Sequence, residues 1–456
     1  MNAFDPMGRQ VRDASQLSAP EGARTALHLT RGTLVLVFLA VAFGQNRFAR
    51  SDPRGTLLVS EAILVHRTVK LDDYPTKLFL GQSQFHEKNG HFYYFFPMGT
   101  SLASLPFVAL ARGFGFDIRE SEPELQIVIA AFAAILSFFL LLKLASLFLD
   151  RYNALLVASA YWFGTSLAST NGTALWSHDF AVVFGLTGIY AAIRSTRELQ
   201  TRAWPQIALA LFGAYLCRPT MSLLVVALLC YLFTYSRGMA IKAGLLFLVC
   251  FGAFVAFSIL EFGQVLPDYY WPERLVGPDM HKALYANLLS PARGLLIYSP
   301  FIPWAWACWA LSKKAWGLRK SWLLVGIAWP LAHWVAISRF PQWWGGYSFG
   351  PRLMTDVLPG LFLLTLYTWP TTTKGTAAKI LVAGLVVTAL FSVFVNSGQG
   401  LFNRWTATWN STPSVDVYPD YVFDWKYPQF LANERGQEQR LIRHAALYGL
   451  PAVEGQ

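Results

Sequence analysis

Apolar runs of nearly membrane-spanning length recur along this chain and constrain its fold more than any other feature. About 20 apolar residues in a helix cross the roughly 30 Å hydrocarbon core of a bilayer. The sequence is 54% hydrophobic and 14% charged, whereas a soluble domain carries roughly 25% charged residues. We therefore predict an all-α polytopic membrane protein with about eleven transmembrane helices. The predicted spans are residues 33–48, 125–149, 153–171, 175–193, 204–218, 220–235, 240–260, 294–311, 321–338, 351–369 and 377–396.

The basic residues between these spans predict the orientation, because cytoplasmic loops collect Lys and Arg. They fall at alternate connections, which predicts a cytoplasmic tail over 1–32 and an external tail over 397–456. The transmembrane domain, 33–396, then includes a long external loop, 49–124, and the stretch 95–112 is re-entrant or surface-lying rather than a full crossing. The basic residues concerned are Arg151, Arg194, Arg197, Arg202, Arg237, Lys242, Lys313, Lys314, Arg319, Lys320, Lys374 and Lys379.

Four arginines on the predicted outer side stand out, because short outer loops should be poor in basic residues. Arg218 ends the span 204–218, and Pro219 after it predicts that residues 204–235 form two short helices. A single such arginine is typical of a side chain that reaches the lipid headgroups. As a group they indicate a phosphate site, since the guanidinium fork matches phosphate. The four are Arg218, Arg293, Arg339 and Arg352, and each lies beside or near Pro or Gly.

Acidic and aromatic residues on the same side are the other candidates. Asp52 opens the external loop, and His178 with Asp179 begins a later span in LWSHDF. Asp179 is also compatible with helix capping, and the aromatics of FPQWWGGYSFG with stacking on a sugar or anchoring at the interface. The net charge of +11 accompanies no basic stripe, so no nucleic-acid partner is predicted. No HExxH, Walker or paired CxxC motif occurs, so no cofactor is predicted and a divalent metal has no visible ligand cluster.

The order of these features resembles the GT-C superfamily of multispanning glycosyltransferases, such as protein O-mannosyltransferases and the lipid A aminoarabinose transferase. The resemblance rests on SDPRGTLLVSEAIL and KLDDY after the first span, HFYYFFPMGTSLASLPF, SHDFAVVF, CRPT, SPARGLLIYSP and QWWGGYSFGPRLM, in order over about 33–370. Many members have two adjacent acids in the first loop, whereas here Asp52 is followed by Pro53 and Arg54.

This resemblance implies a fold with juxtamembrane helices in the external loop and a membrane enzyme that uses a polyprenyl-phosphate sugar. The acceptor would be a lipid, glycan or protein at the periplasmic face of a bacterial inner membrane, among membrane lipids. Asp52 would be the general base, and Arg218, Arg352 and Arg293 would bind the donor phosphate. The residues expected to bind the acceptor or sugar, or to support the base, are Asp179, His178, Tyr94, Trp344 and Tyr347.

Two alternatives remain at the level of sequence. A lipid or glycolipid transporter or flippase would have inverted repeats and charges deep within broken helices, whereas no repeat is visible here. A ligase that transfers a whole lipid-linked glycan would need a larger outer cavity. The position of Asp52, either beside the arginines at a lateral opening or solvated and alone, distinguishes an enzyme from a transporter.

Overall fold

A computed structural model describes residues 20–277, 279–311, 321–368 and 375–448. The predicted cytoplasmic tail up to residue 19, the basic cluster within 312–320 and Lys374 lie outside the described residues. The first half of the chain forms α1 (Pro20–Ala42), α2 (Thr56–Val65), β1 (Phe85–Lys88), β2 (His91–Tyr94), α3 (Gly99–Gly113), α4 (Ile118–Ala145), α5 (Arg151–Phe163), α6 (Ser166–Ser169), α7 (Ser177–Arg197), α8 (Trp204–Cys217) and α9 (Ser222–Phe233).

Helices connected by loops make up most of the second half among the described residues, and several are π- or 3₁₀-helical. Leu324–Ala328 and Phe394–Gln399 are π-helical, and Arg352–Val357 is a 3₁₀-helix. The α-helices are α10 (Arg237–Phe262), α11 (Met280–Leu289), α12 (Leu295–Tyr298), α13 (Phe301–Leu311), α14 (Trp329–Ser338), α15 (Leu358–Thr368), α16 (Thr376–Val393), α17 (Gly400–Phe402), α18 (Trp405–Thr408) and α19 (Glu434–Tyr448).

The architecture is all-α apart from one antiparallel hairpin of β1 and β2 among the described residues. Every one of the eleven predicted spans contains helix. Within the described ranges, four helical segments are both long and apolar enough to cross a membrane, and shorter apolar helices accompany them. The four segments are Thr25–Ala42, Ile118–Ala145, Arg237–Phe262 and Ala378–Phe402.

The boundaries of the first predicted span are wrong at both ends. The helix α1 already includes Pro20, so it extends into the predicted tail 1–32. It ends at Ala42 rather than near residue 48. Beyond the end of this helix, the side-chain amide of Asn46 donates to the carbonyl oxygens of Gly400 and Asn403, at 2.8 and 3.0 Å. This contact holds the start of the predicted external loop against the helical segment that follows α16.

The predicted break at Arg218 is confirmed, since α8 ends at Cys217 and α9 begins at Ser222. Arg218 itself is extended, with φ −146°, because Pro219 cannot donate the backbone hydrogen bond that would continue the helix. The predicted external loop contains two helices, α2 and α3, together with the hairpin. With 15 residues, α3 spans about 22 Å, which is shorter than the hydrocarbon core.

The core of the bundle lies where α7 packs against α4 and α8. Small residues permit this close packing: a Cβ on Gly188 would lie 3.7 Å from the Cβ of Ala210. The start of α3 approaches α8 even more closely. A Cβ on Gly99 would lie 2.3 Å from the backbone nitrogen of Cys217, so only glycine fits there. The start of α3, within the predicted external loop, is therefore fixed directly beside Arg218.

Candidate active site

Three side chains donate hydrogen bonds to backbone carbonyl oxygens of the turn that carries Asp52. Its carbonyl oxygen accepts a hydrogen bond of 2.6 Å from the hydroxyl of Tyr94. The side chain of Gln126, on α4, donates to the carbonyl oxygen of Pro53 at 3.1 Å, and Gln84 donates to that of Ser51 at 3.2 Å. The carboxylate of Asp52 therefore projects from a fixed backbone rather than from a free loop.

Glu122 fixes the start of α2 immediately after this turn. One carboxylate oxygen accepts the backbone N–H groups of Gly55 and Leu57, at 2.9 and 3.0 Å. These are among the N–H groups that a helix leaves without internal partners at its first turn. Gly55 has φ +94°, and a Cβ there would lie 2.6 Å from the ring of Phe85, so the tight turn requires glycine.

Asp52 and Arg352, 300 residues apart in sequence, form an ion pair through Oδ2 and Nη2. Arg352 is buried, lies with its guanidinium carbon 3.9 Å from the ring centroid of Trp176, and donates from Nη1 to the carbonyl oxygen of Gly345 at 3.1 Å. The side chain of Asp52 stays 31% exposed. Among the described residues, its Oδ1 accepts no hydrogen bond. This oxygen therefore remains available to a substrate.

A second charged cluster, which we call the Asp356 node, lies buried behind Arg218. His178 Nδ1 donates to Oδ1 of Asp356 at 2.7 Å, and Arg218 Nε donates to Oδ2 at 3.0 Å. The hydroxyl of Thr220 is 3.4 Å from Oδ2, and His333 Nε2 is 3.9 Å from it. His178 thus contacts Asp356 rather than Asp52. Asp356 itself was not predicted as a site residue, although it lies one helical turn after Arg352.

A cavity of about 1090 Å³ connects Asp52 with Arg218 and Arg352. One part of its wall is charged and aromatic, and the other is apolar and formed by α9 and α10. Val226 and Leu248 line it while being 62% and 60% exposed, so the cavity reaches the apolar outer surface between these helices. The charged residues of the lining are Arg47, Arg50, Asp52, Arg218, Arg274, Arg352 and Asp416.

The structure places Arg293 away from this lining, contrary to the prediction that it joins the other two arginines. Its Nη atoms donate to Gln429 Oε1 at 2.6 Å and Asn410 Oδ1 at 2.9 Å. The guanidinium also donates to the carbonyl oxygens of Ala292, Trp344 and Gly346. Burial lowers the pKa of Arg293 to about 10. With its donors occupied, Arg293 links the C-terminal tail to the 344–346 loop.

The other predicted residues divide between the cavity and its support. Tyr347 lines the cavity, and its hydroxyl lies 2.8 Å from Ser414 Oγ. Trp344 donates from Nε1 to Oδ1 of Asp416 at 2.7 Å, while Asp416 lines the cavity. Tyr94 supports the Asp52 turn. Asp179 is fully buried in the first turn of α7 and is not among the described residues that line the cavity.

Sequence reasoning missed Asp356, Arg274 and Asp416. Only the aromatic neighbourhood of Arg274, in DYYWPER, gives a local signal for it.

Within the part of the chain that the structure describes, no three His, Cys, Asp or Glu side chains are grouped so that they could hold a metal ion. No protein-family model matches this chain, and no curated protein is significantly similar to it.

Proposed function

We propose that this protein is a multi-pass membrane glycosyltransferase of the GT-C type. It transfers a sugar from a polyprenyl-phosphate donor to a lipid, glycan or protein acceptor. The reaction takes place at the outer face of the membrane, which in a bacterium is the periplasmic face of the inner membrane. Eleven membrane crossings, with residues 49–124 outside, belong to this proposal.

The observation that carries the proposal is the two-part wall of the cavity. A lipid-linked phosphate sugar needs an apolar groove for its chain, cations for its phosphate and a base near its sugar. The groove between α9 and α10 opens sideways through Val226 and Leu248, and Asp52 lies at the charged part of the same cavity. A volume of about 1090 Å³ lies just above the roughly 300–1,000 Å³ that small-molecule sites occupy.

Asp52 supplies the proton acceptor. An acceptor hydroxyl or amine loses its proton to the carboxylate as its oxygen or nitrogen forms a bond to the anomeric carbon. The bond between that carbon and the phosphate oxygen breaks, and the phosphate leaves with the bonding electrons. Arg352 fixes the carboxylate through Oδ2, and the exposed side of Asp52 faces the cavity. A general base of this kind contributes about a hundred- to ten-thousand-fold in rate.

Arg218 stabilises the charge that develops on the leaving phosphate. The Asp356 node orients its guanidinium through Nε, and Nη1 lies 3.4 Å from Ser177 Oγ. Among the described residues, no hydrogen bond is made by Nη2, so this nitrogen can donate to a ligand in the cavity. Oriented donors aimed at developing charge are usually the largest single contribution to catalysis.

A direct assay tests this function. The purified protein, in proteoliposomes, would be given polyprenyl-phosphate sugars with labelled sugar and an extract of membrane lipids and envelope glycans. We expect label in a product of the extract. Mass analysis of surface glycolipids and glycoproteins from cells with and without the protein would identify the acceptor. Label that moves across the bilayer while still attached to the polyprenyl phosphate would support a flippase instead.

Cysteine labelling tests the topology on which the outer site depends. We expect external reagents to reach a cysteine at position 438, whose glutamate is exposed on α19, but not one at 10 or 317. A cysteine at position 440 would not be accessible to the reagent, because Arg440 is buried. Labelling of position 317 from outside would place the cavity on the cytoplasmic side and contradict the proposed donor.

A further inference from the structure

Arg274 is a cavity-lining arginine that three aromatic rings hold in place. Its guanidinium carbon lies 4.0 Å from the ring centroid of Tyr269, 4.9 Å from that of Phe95 and 5.2 Å from that of Phe340. These rings come from three separate segments: the turn after α10, the end of the hairpin and the end of α14. Each ring face attracts the cation electrostatically, and together the three rings restrict where the charge can lie.

The charge of Arg274 has no acidic partner among the described residues, in contrast with two other arginines of the cavity lining. Arg218 is paired with Asp356, and Arg352 with Asp52. The hydrogen bond that Arg274 does make, from Nη1 to the carbonyl oxygen of Tyr269, is 3.5 Å long and therefore weak. The aromatic rings cover the planar faces of this half-buried guanidinium and leave its N–H edges open. A group in this arrangement is suited to bind an anion from outside the protein.

A continuous series of ring contacts connects Arg274 with Asp52. The ring of Tyr269 lies 5.5 Å from that of Phe96, which lies 5.6 Å from that of Tyr94. The hydroxyl of Tyr94 then donates to the backbone of Asp52. Asp52 and Arg274 also line the same cavity. The rings therefore hold the uncompensated cation at a fixed place relative to the proposed base.

We infer that Arg274 binds the phosphate group of the lipid-linked donor, through the N–H edges that the three rings leave open. This inference rests on the proposed function for the identity of the donor, but its chemistry requires only an amphipathic phosphate. Arg218 and Arg352 already have carboxylate partners, so the charge of Arg274 adds to the net positive charge of the lining that attracts a phosphate. Arg274 is therefore a determinant of donor affinity, and Asp52 remains the catalytic residue.

Binding of dodecyl phosphate to the protein in nanodiscs of neutral lipid tests the inference, with dodecanol as the uncharged comparison. We expect Arg274→Gln to weaken dodecyl phosphate binding about ten- to a hundredfold, as for a lost charge-assisted hydrogen bond, and to leave dodecanol binding unchanged. The matched control is Arg404→Gln, because Arg404 also stacks on a ring, 4.9 Å from the centroid of Trp405, but lies outside the cavity lining. The control should bind dodecyl phosphate as the wild type does.

Equal affinity of Arg274→Gln and wild type for dodecyl phosphate would overturn the inference. Should the Gln variant not fold, Arg274→Lys decides, since a point charge replaces the planar fork: a severalfold loss supports the inference and no loss overturns it. Sugar transfer is measured separately. Arg274-dependent phosphate binding without any transfer would remove the proposed enzyme and leave this site, whereas transfer with Arg274-independent binding would remove only this site.

Discussion

Arg293 and Arg352 both lie within two residues of a proline in turns predicted to face outward, yet their surroundings differ completely. Arg293 is enclosed by amide and carbonyl oxygens from its own turn, the 344–346 loop and the tail. Arg352 lies over Trp176 and contacts a carboxylate that is open to the cavity. An arginine at such a turn is therefore either enclosed by the protein or left beside the cavity, according to which oxygens its distant neighbours supply.

The largest effect that tests this comparison is the expected loss of protein stability when Arg293 is replaced. Arg293→Ala leaves several buried acceptors without a donor, and unsatisfied buried groups cost about 1–3 kcal/mol each. We expect the free energy of unfolding to fall by about 3 kcal/mol or more, measured by thermal unfolding in detergent. The protein that remains folded should bind donor normally. Wild-type stability with lost donor binding would return Arg293 to the phosphate site. Arg404→Ala, at an exposed position, is the control and should change stability little.

Arg218 is expected to show a smaller effect of a different kind. Arg218→Lys keeps a positive charge for Asp356, so the buried carboxylate retains a partner, whereas Arg218→Ala would leave that charge uncompensated. The lysine cannot also present a planar donor fork to phosphate. We therefore expect about tenfold weaker donor binding in Arg218→Lys, with near wild-type stability. Unchanged donor affinity would make Arg218 a purely structural partner of Asp356.

The smallest expected effect concerns the hairpin that carries Tyr94. Asp72 accepts the backbone N–H of Phe92 at 2.9 Å and contacts His91 Nδ1 at 2.6 Å. Burial alone would raise the pKa of Asp72, but these two hydrogen bonds hold it below its ordinary value of 3.8. Because the folded pKa is the lower one, the contribution to stability is complete above about pH 4 and is lost as the pH falls below that range.

Hydrogen exchange at the Phe92 amide measures this contribution. We expect protection to decrease between pH 4.5 and 3 beyond the intrinsic pH dependence of exchange, and Asp72→Asn to abolish the extra decrease. Asp73→Asn is the matched control, since Asp73 contacts His66 rather than the hairpin. A pH response that persists in Asp72→Asn would mean that another group anchors the hairpin.

Local signals in the sequence predicted the helices and the break at Arg218. Long apolar runs predict helix by length and composition, and Pro219 removes a backbone donor at one defined place. The Asp356 node could not be predicted, because His178 and Arg218 are 178 and 138 residues from Asp356. The same reason explains Arg293, whose amide partners lie 117 and 136 residues away in the tail. Local pattern predicts which arginines face outward, and only tertiary packing decides which of them line the cavity.

The most direct test of the proposed function is sugar transfer by Asp52→Asn. The amide keeps the size of the carboxylate and can still contact Arg352, but it cannot accept the proton of the acceptor. The variant should insert and bind donor as the wild type does, yet transfer sugar about a hundred- to ten-thousand-fold more slowly. Asp73→Asn, in the same predicted external loop, should transfer at the wild-type rate. Near wild-type transfer by Asp52→Asn, in membranes that hold equal amounts of protein, would contradict the assignment of Asp52 as the base.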